Sequence, residues 1–193
     1  KSQRYARATG NLLLLTMFIP GDATRPVIAD NGQVIVFQAA TPSGGSAVFL
    51  YDMGNMVPSS ISVGPDGQQI DSADPAISPD GKYVSFSGSG GAYTAVMVYD
   101  RAARATYLAA PAYDGGAADE ASGRSSLTLA NGLRIAFSSR AENLLPNEPY
   151  PGSKVSDIFL ATFPLVAEIV QGNAQRATVG QPFAQPLAVK VTT

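Results

Sequence analysis

The chain has 193 residues, of which 45% are hydrophobic and 15% charged, with 19 Gly, 14 Pro, no Cys and no His. Its 13 basic residues are scattered among 15 acidic ones for a net charge of −2, which excludes the Lys/Arg cluster that nucleic-acid binders use to displace counterions from phosphates. Without His or Cys, the usual ligands for zinc, iron and copper are missing, and so is any Ser-His-Asp or Cys-His apparatus.

The first apolar run, Leu12 to Ile19, is too short for a transmembrane helix, which takes about 20 apolar residues. Lys1, Arg4 and Arg7 precede it in the charge order of a signal peptide. Gly10-Asn11 interrupts that pattern, and Tyr5-Ala6-Arg7-Ala8 resembles Tyr99-Asp100-Arg101-Ala102 further on. That register makes Leu12–Leu15 the fourth strand of a partial unit over 1–20.

Three segments then stack without gaps: PVIADNGQVIVF from Pro26, PAISPDGKYVSF from Pro75, and SLTLANGLRIAF from Ser126. The period is about fifty residues, within the range of repeat architectures. Asn31-Gly32, Asp80-Gly81 and Asn131-Gly132 fall in register and supply the positive φ angles of tight hairpin turns. Each segment therefore reads as strand, turn, strand. A third strand follows in each copy: Ala47–Asp52, Ala95–Asp100 and Asp157–Thr162. A fourth is expected at Ser60–Val63 and at Thr106–Ala109. Four antiparallel strands per period predict a propeller blade, with blades at about 24–64, 73–110 and 124–163. The run Gly88-Ser89-Gly90-Gly91 lacks the lysine of a phosphate-binding loop and reads as a hairpin loop. In the third copy the stretch from Ser138 to Ser156 is a long loop, expected as a surface insertion.

The second copy, Pro75 to Phe86, resembles the TolB-like, PD40-type branch of WD40-like propellers, whose blades carry a P-x-x-S-P-D-G-x-x-[IV]-x-F pattern. Asp157-Ile158-Phe159 is similar to that family's third strand. The resemblance implies an all-β chain over 1–164, a partial β-propeller of about three to four four-stranded antiparallel blades. Propellers close with four to eight blades, so further chain, a second copy or a large partner is expected to complete the ring. After Phe163-Pro164 the texture changes. Gly172, Gln175, Ala177 to Gly180, Pro186, Leu187, Val189 and Val191 resemble the opening of a bacterial immunoglobulin-like domain, over 165–193. Closing strands of a blade are the other reading of that segment.

Arg25, Asp74 and Ser125 sit just before the expected innermost strands, where blades line the mouth of the central channel. They are the candidate binding residues. Asp22, Asp71 and Asp119 are candidate Ca2+ ligands, since Ca2+ takes carboxylate oxygens; the competing role for such loop carboxylates is to cap turns through their own backbone. No EF-hand spacing and no other metal or cofactor motif is present. Tyr51, Tyr99 and Phe159 read as packing between blades. Glu120, Glu142, Glu148 and Glu168 carry no local catalytic motif. These readings converge on a non-enzymatic extracellular, cell-surface or periplasmic module that contacts protein or glycan. The alternatives are a TolB-like component of an envelope complex, or a carbohydrate-active enzyme with paired carboxylates.

Overall fold

The computed structural model describes residues 13–17, 19, 21–89, 93–130, 132–147, 152, 155–163, 166–171 and 188–192. Among them there are strands and turns but no helix, and hence no helix long and apolar enough to cross a membrane. Strands β1 (Ala23–Ile28), β2 (Val34–Ala40), β3 (Ser46–Asp52) and β4 (Pro58–Ser60) form a first sheet in chain order. Strands β5 (Ser72–Ile77), β6 (Tyr83–Ser89), β7 (Thr94–Asp100) and β8 (Ala105–Leu108) form a second. Strands β9 (Ser122–Thr128), β10 (Leu133–Ser139) and β11 (Asp157–Phe163) form a third, and β12 (Val166–Gln171) pairs with β13 (Ala188–Thr192) in a separate two-stranded sheet. All pairings are antiparallel. The chain is all-β, with small sheets repeated in series as in a partial propeller.

The repeat turn is built by its own side chains. The Ser78 hydroxyl donates to Asp80 Oδ1 (2.8 Å) and accepts the Tyr83 N–H (2.9 Å), while Asp80 Oδ1 also accepts the Lys82 N–H (3.0 Å). Burial opposes ionisation of Asp80, but it is outweighed by the Lys82 N–H, the Ser78 hydroxyl and the Lys82 ammonium, which together hold the carboxyl below its ordinary pKa. Gly81 supplies φ 75°. Asn31 replaces the aspartate in the first sheet and bonds the Gln33 N–H in the same way. Its amide also donates to Asp80 O (2.9 Å), and the Asp30 N–H donates to Pro79 O (3.0 Å), so the first two turns dock on each other.

Sheets stack face to face with their inner strands adjoining. β5 lies against β1, β2 and β3, and β9 lies against β5, β6 and β7. Val34, Val36, Val48 and Leu50 of the first sheet pack on Ile77, Val84, Phe86 and Met97 of the second. The other face of the second sheet brings Tyr83, Val96 and Val98 against Leu133, Ile135 and Phe137 of the third. Fully burying one such side chain is worth about 1.5–3 kcal/mol. Tyr51 is buried on the outer face of the first sheet, and Tyr99 and Phe159 are partly buried in the inter-sheet clusters. Arg101 ties the interface further, with Nη2 on Asp52 Oδ2 (2.5 Å) and Nη1 on Gly81 O (2.8 Å).

Some elements depart from the sequence expectations. Leu13 and Leu14 lie outside any strand, and Leu15–Met17 form a turn, closed by Ile19 N–H to Thr16 O (3.0 Å). Leu15 and Ile19 nevertheless pack on the outer face of the first sheet, beside Phe37 and Tyr51; Leu12 lies outside the described residues. The first fourth strand ends at Ser60 instead of spanning Ser60–Val63. Beyond it, Ser62 and Ser72 share a 2.5 Å hydrogen bond, and both hydroxyls accept the Val48 N–H. Side chains there meet a buried backbone donor that a longer β4 would have met, as buried donors require. β8 (Ala105–Leu108) falls within a residue of the expected strand.

The loop after β10 is anchored, since Ala141 and Leu144 are buried between the second and third sheets. Asn143 Nδ2 donates to Ala117 O (2.9 Å), and Asn143 O accepts the Tyr113 N–H (2.9 Å). At the C-terminus, β13 contains Val189 and Val191 and pairs with β12; Gly172 to Leu187 lie outside the described residues.

Candidate functional site

Each innermost strand carries a β-bulge at the same place. Pairing is irregular between Thr24 and Val27 in β1, between Ala73 and Ala76 in β5, and opposite Ala136 and Ser138 in β9. At each bulge one non-glycine residue adopts left-handed φ: Arg25 at 53°, Asp74 at 54° and Arg124 at 49°. That conformation costs an L-residue roughly 1–2 kcal/mol, and bulges of this kind re-aim a side chain out of the strand's alternation. Three successive sheets keep it, and all three side chains arrive at one end of the stack.

There Arg25, Asp74, Pro75, Arg124 and Ser125 line a cleft of about 420 Å3. Arg25 Nη1 and Asp74 Oδ1 form an ion pair between the first and second sheets. Ser125 Oγ donates to Ser85 Oγ (2.8 Å), tying the third sheet to β6. The Asp74 N–H reaches Gln38 Oε1 (3.4 Å). The structure thus brings Arg25, Asp74 and Ser125 to one cleft, inside the inner strands instead of ahead of them.

Arg124 escapes the sequence reading for an identifiable reason. In the second sheet Ala76 pairs with Ser85, and in the third Ser126 pairs with Ala136. Ser126 therefore occupies the place of Ala76, whereas gapless stacking sets it against Pro75. The third hairpin turn is one residue longer, so the counterpart of Arg25 and Asp74 is Arg124, and Ser125 is the counterpart of Pro75. An allowance for one extra turn residue before Gly132 would have found it.

The Ca2+ candidates do not come together. Asp71 Oδ1 accepts the Ser46 N–H (3.3 Å), and its carbonyl accepts the Ser89 N–H (2.9 Å). Asp119 Oδ1 accepts the Glu142 N–H (2.9 Å). Asp22 is exposed, and its carbonyl accepts the Ala40 N–H (3.1 Å). Among the described residues no three acidic side chains are grouped to hold a metal. Of the glutamates, Glu120 and Glu142 do not line the mouth clefts, Glu142 Oε2 accepts the Gly152 N–H (2.7 Å), the backbone of Glu168 belongs to β12, and Glu148 is outside the described residues.

A larger cavity of about 540 Å3 lies between the second and third sheets, lined by Tyr83, Val98, Tyr107, Leu133 and Phe163 among others and sharing no residue with the mouth. Its walls belong mostly to the inter-sheet core, and it brings no convergent set of polar groups.

Compared with known proteins, the sequence matches no family model and no curated relative. Among solved structures, the chain is similar to TolB from Acinetobacter baumannii, with a TM-score of 0.41 and 11% sequence identity over 89% of this chain and 41% of that one. The chain thus spans about two fifths of the length of that protein.

Proposed function

We propose that the chain is a non-enzymatic binding module of the propeller type, built from PD40-like repeats and exposed on the cell surface, in the extracellular space or in the periplasm. Its mouth presents Arg25, Asp74, Arg124 and Ser125 to a protein or glycan. The observation that carries this reading is the repetition of a strained left-handed bulge in β1, β5 and β9. A conformational cost borne three times at one end of a fold is the kind of device that accompanies recognition. Binding here works by rigid presentation on sheets packed face to face, with no bond made or broken. A second chain, or further blades of the same chain, completes the ring. The segment over 165–193 begins an immunoglobulin-like spacer, for which the β12–β13 pairing and the alternation of Val189 and Val191 give support.

A hydrolase reading calls for two carboxylates across the scissile bond. Among the residues lining the mouth, Asp74 is the carboxylate, and it is engaged by Arg25. The test is a shift titration of isotopically labelled protein against neutral, acidic and basic peptides and oligosaccharides. Perturbation centred on the amides of Arg25, Asp74, Arg124 and Ser125, lost in Asp74→Ala, supports the reading. Perturbation confined to other surfaces, or hydrolysis of any glycan in the panel, overturns it.

A further inference from the structure

A second cleft adjoins the mouth between the second and third sheets. It measures about 370 Å3 and shares Asp74 and Arg124 with the first, adding Ser87, Thr94, Ser122, Ser138, Arg140 and Ser156 to its walls. Its chemistry is unbalanced. Asp74 is already neutralised by Arg25, while Arg124 and Arg140 are exposed and have no side-chain hydrogen bond or ion pair among the described residues. Ser87 Oγ is buried with no hydrogen-bond partner among the described residues, a state that costs about 1–3 kcal/mol unless something else supplies the bond. Across from it Gly123 has no side chain, and a Cβ there would stand 3.0 Å from Ser87 Oγ. Any side chain at that position would crowd the hydroxyl.

We infer that this cleft binds the carboxylate of an acidic sugar, held by the Arg124 and Arg140 guanidinium groups, with the exposed hydroxyls of Thr94 and Ser156 on its rim meeting the ring oxygens. Guanidinium forks match a carboxylate in geometry as well as charge. The surrounding Ser and Thr hydroxyls both donate and accept, as sugar hydroxyls do. This inference rests on the binding-module reading and names the ligand class of the same mouth.

The test is a titration of the whole chain with glucuronate, glucose and sulfate. Glucuronate is expected to bind at least about tenfold more tightly than glucose, the equivalent of about 1.4 kcal/mol, and more tightly than sulfate. Arg124→Ala and Arg140→Ala each remove the preference at an unchanged urea midpoint. Arg140→Lys, which keeps the charge and loses the fork, gives an intermediate affinity. Arg104→Ala, on an exposed arginine of a different cleft, leaves binding unchanged. Equal binding of glucuronate and glucose overturns the inference, as does equal binding of glucuronate and sulfate, or an equal loss in Arg104→Ala. If other peptides or glycans still perturb the mouth, the binding-module reading survives that failure; if nothing binds, both fall.

Discussion

The second and third sheets carry the same repeat, yet they bury it differently. In β6 every residue from Tyr83 to Gly88 is buried, whereas in β10 buried and half-buried residues alternate from Leu133 to Ser139. The second sheet is covered on both faces, by the first sheet and by the third. Among the described residues the third is covered on one face, and on its other side β11 leaves Ile158 and Leu160 at 78% and 63% exposure. A burial pattern along a strand therefore reports how many neighbours its sheet has.

Substitutions can break this contrast. Ser85 is fully buried and Ala136, its counterpart, is half-buried. Ser85→Lys places a charge between two sheets and is expected to cost more than about 4 kcal/mol or to prevent folding. Ala136→Lys is expected to stay within about 1 kcal/mol. Urea denaturation of the two variants, compared with the parent, checks both. The aromatic positions facing a neighbour should behave alike: Phe86→Ala and Phe137→Ala each lose about 3–5 kcal/mol, while Leu160→Ser, on the face that a completed ring would cover, changes the stability of this chain as a monomer by less than about 0.5 kcal/mol. A large loss in the monomer would mean that another part of this chain already covers that face of the third sheet.

Turns sharpen the same point. A Cβ on Gly81 would meet Val34 Cγ2 of the first sheet at 3.0 Å, whereas one on Gly32 would meet nothing within 4 Å. Both have positive φ, so each alanine substitution costs roughly 1–2 kcal/mol from the left-handed backbone. Gly81→Ala should exceed Gly32→Ala because its neighbour must also shift, and thermal melts of the pair give the difference. The smallest effect is in acid. The folded-state pKa of Asp80 is depressed, so its contribution is present above the unfolded value of about 3.9 and is lost as pH falls through the lower folded value. Asp80→Asn should flatten that part of the pH–stability curve. Asn31 and Asn131 hold the corresponding places in the other two turns and add no such dependence.

Much of this architecture was legible in the residues. The Asn-Gly and Asp-Gly pairs located all three hairpins, and the runs Ala47–Asp52, Ala95–Asp100 and Asp157–Thr162 located the third strands to within a residue. These features are local, set by turn chemistry and alternation. The first fourth strand was less legible because β4 is three residues long and half-buried or exposed throughout, so little burial patterns it. Leu12–Leu15 read as a strand because the likeness of Tyr5–Ala8 to Tyr99–Ala102 set a register there, whereas Leu13 and Leu14 are exposed and Leu15 begins a turn that packs on the first sheet. At the mouth, Arg25 and Asp74 could be named from their place before a proline. Arg124 could not, because one added turn residue slides the inner strand without changing its texture. Arg140 comes from a loop with no repeat to align, and its meeting with Arg124 depends on how two sheets pack.

The central claim is that successive sheets bury their faces on one another. The chain has no cysteine, which makes a cross-link between sheets unambiguous. A Cβ on Gly81 would lie 3.4 Å from Ala29 Cβ, close to the disulfide range of about 3.5–4.5 Å. The double variant Ala29→Cys/Gly81→Cys should form an intramolecular disulfide quantitatively under mild oxidation in native buffer, and should lose that selectivity in urea. Free thiols, or only disulfides between separate chains, in the natively folded double variant would contradict the stacking of the first two sheets.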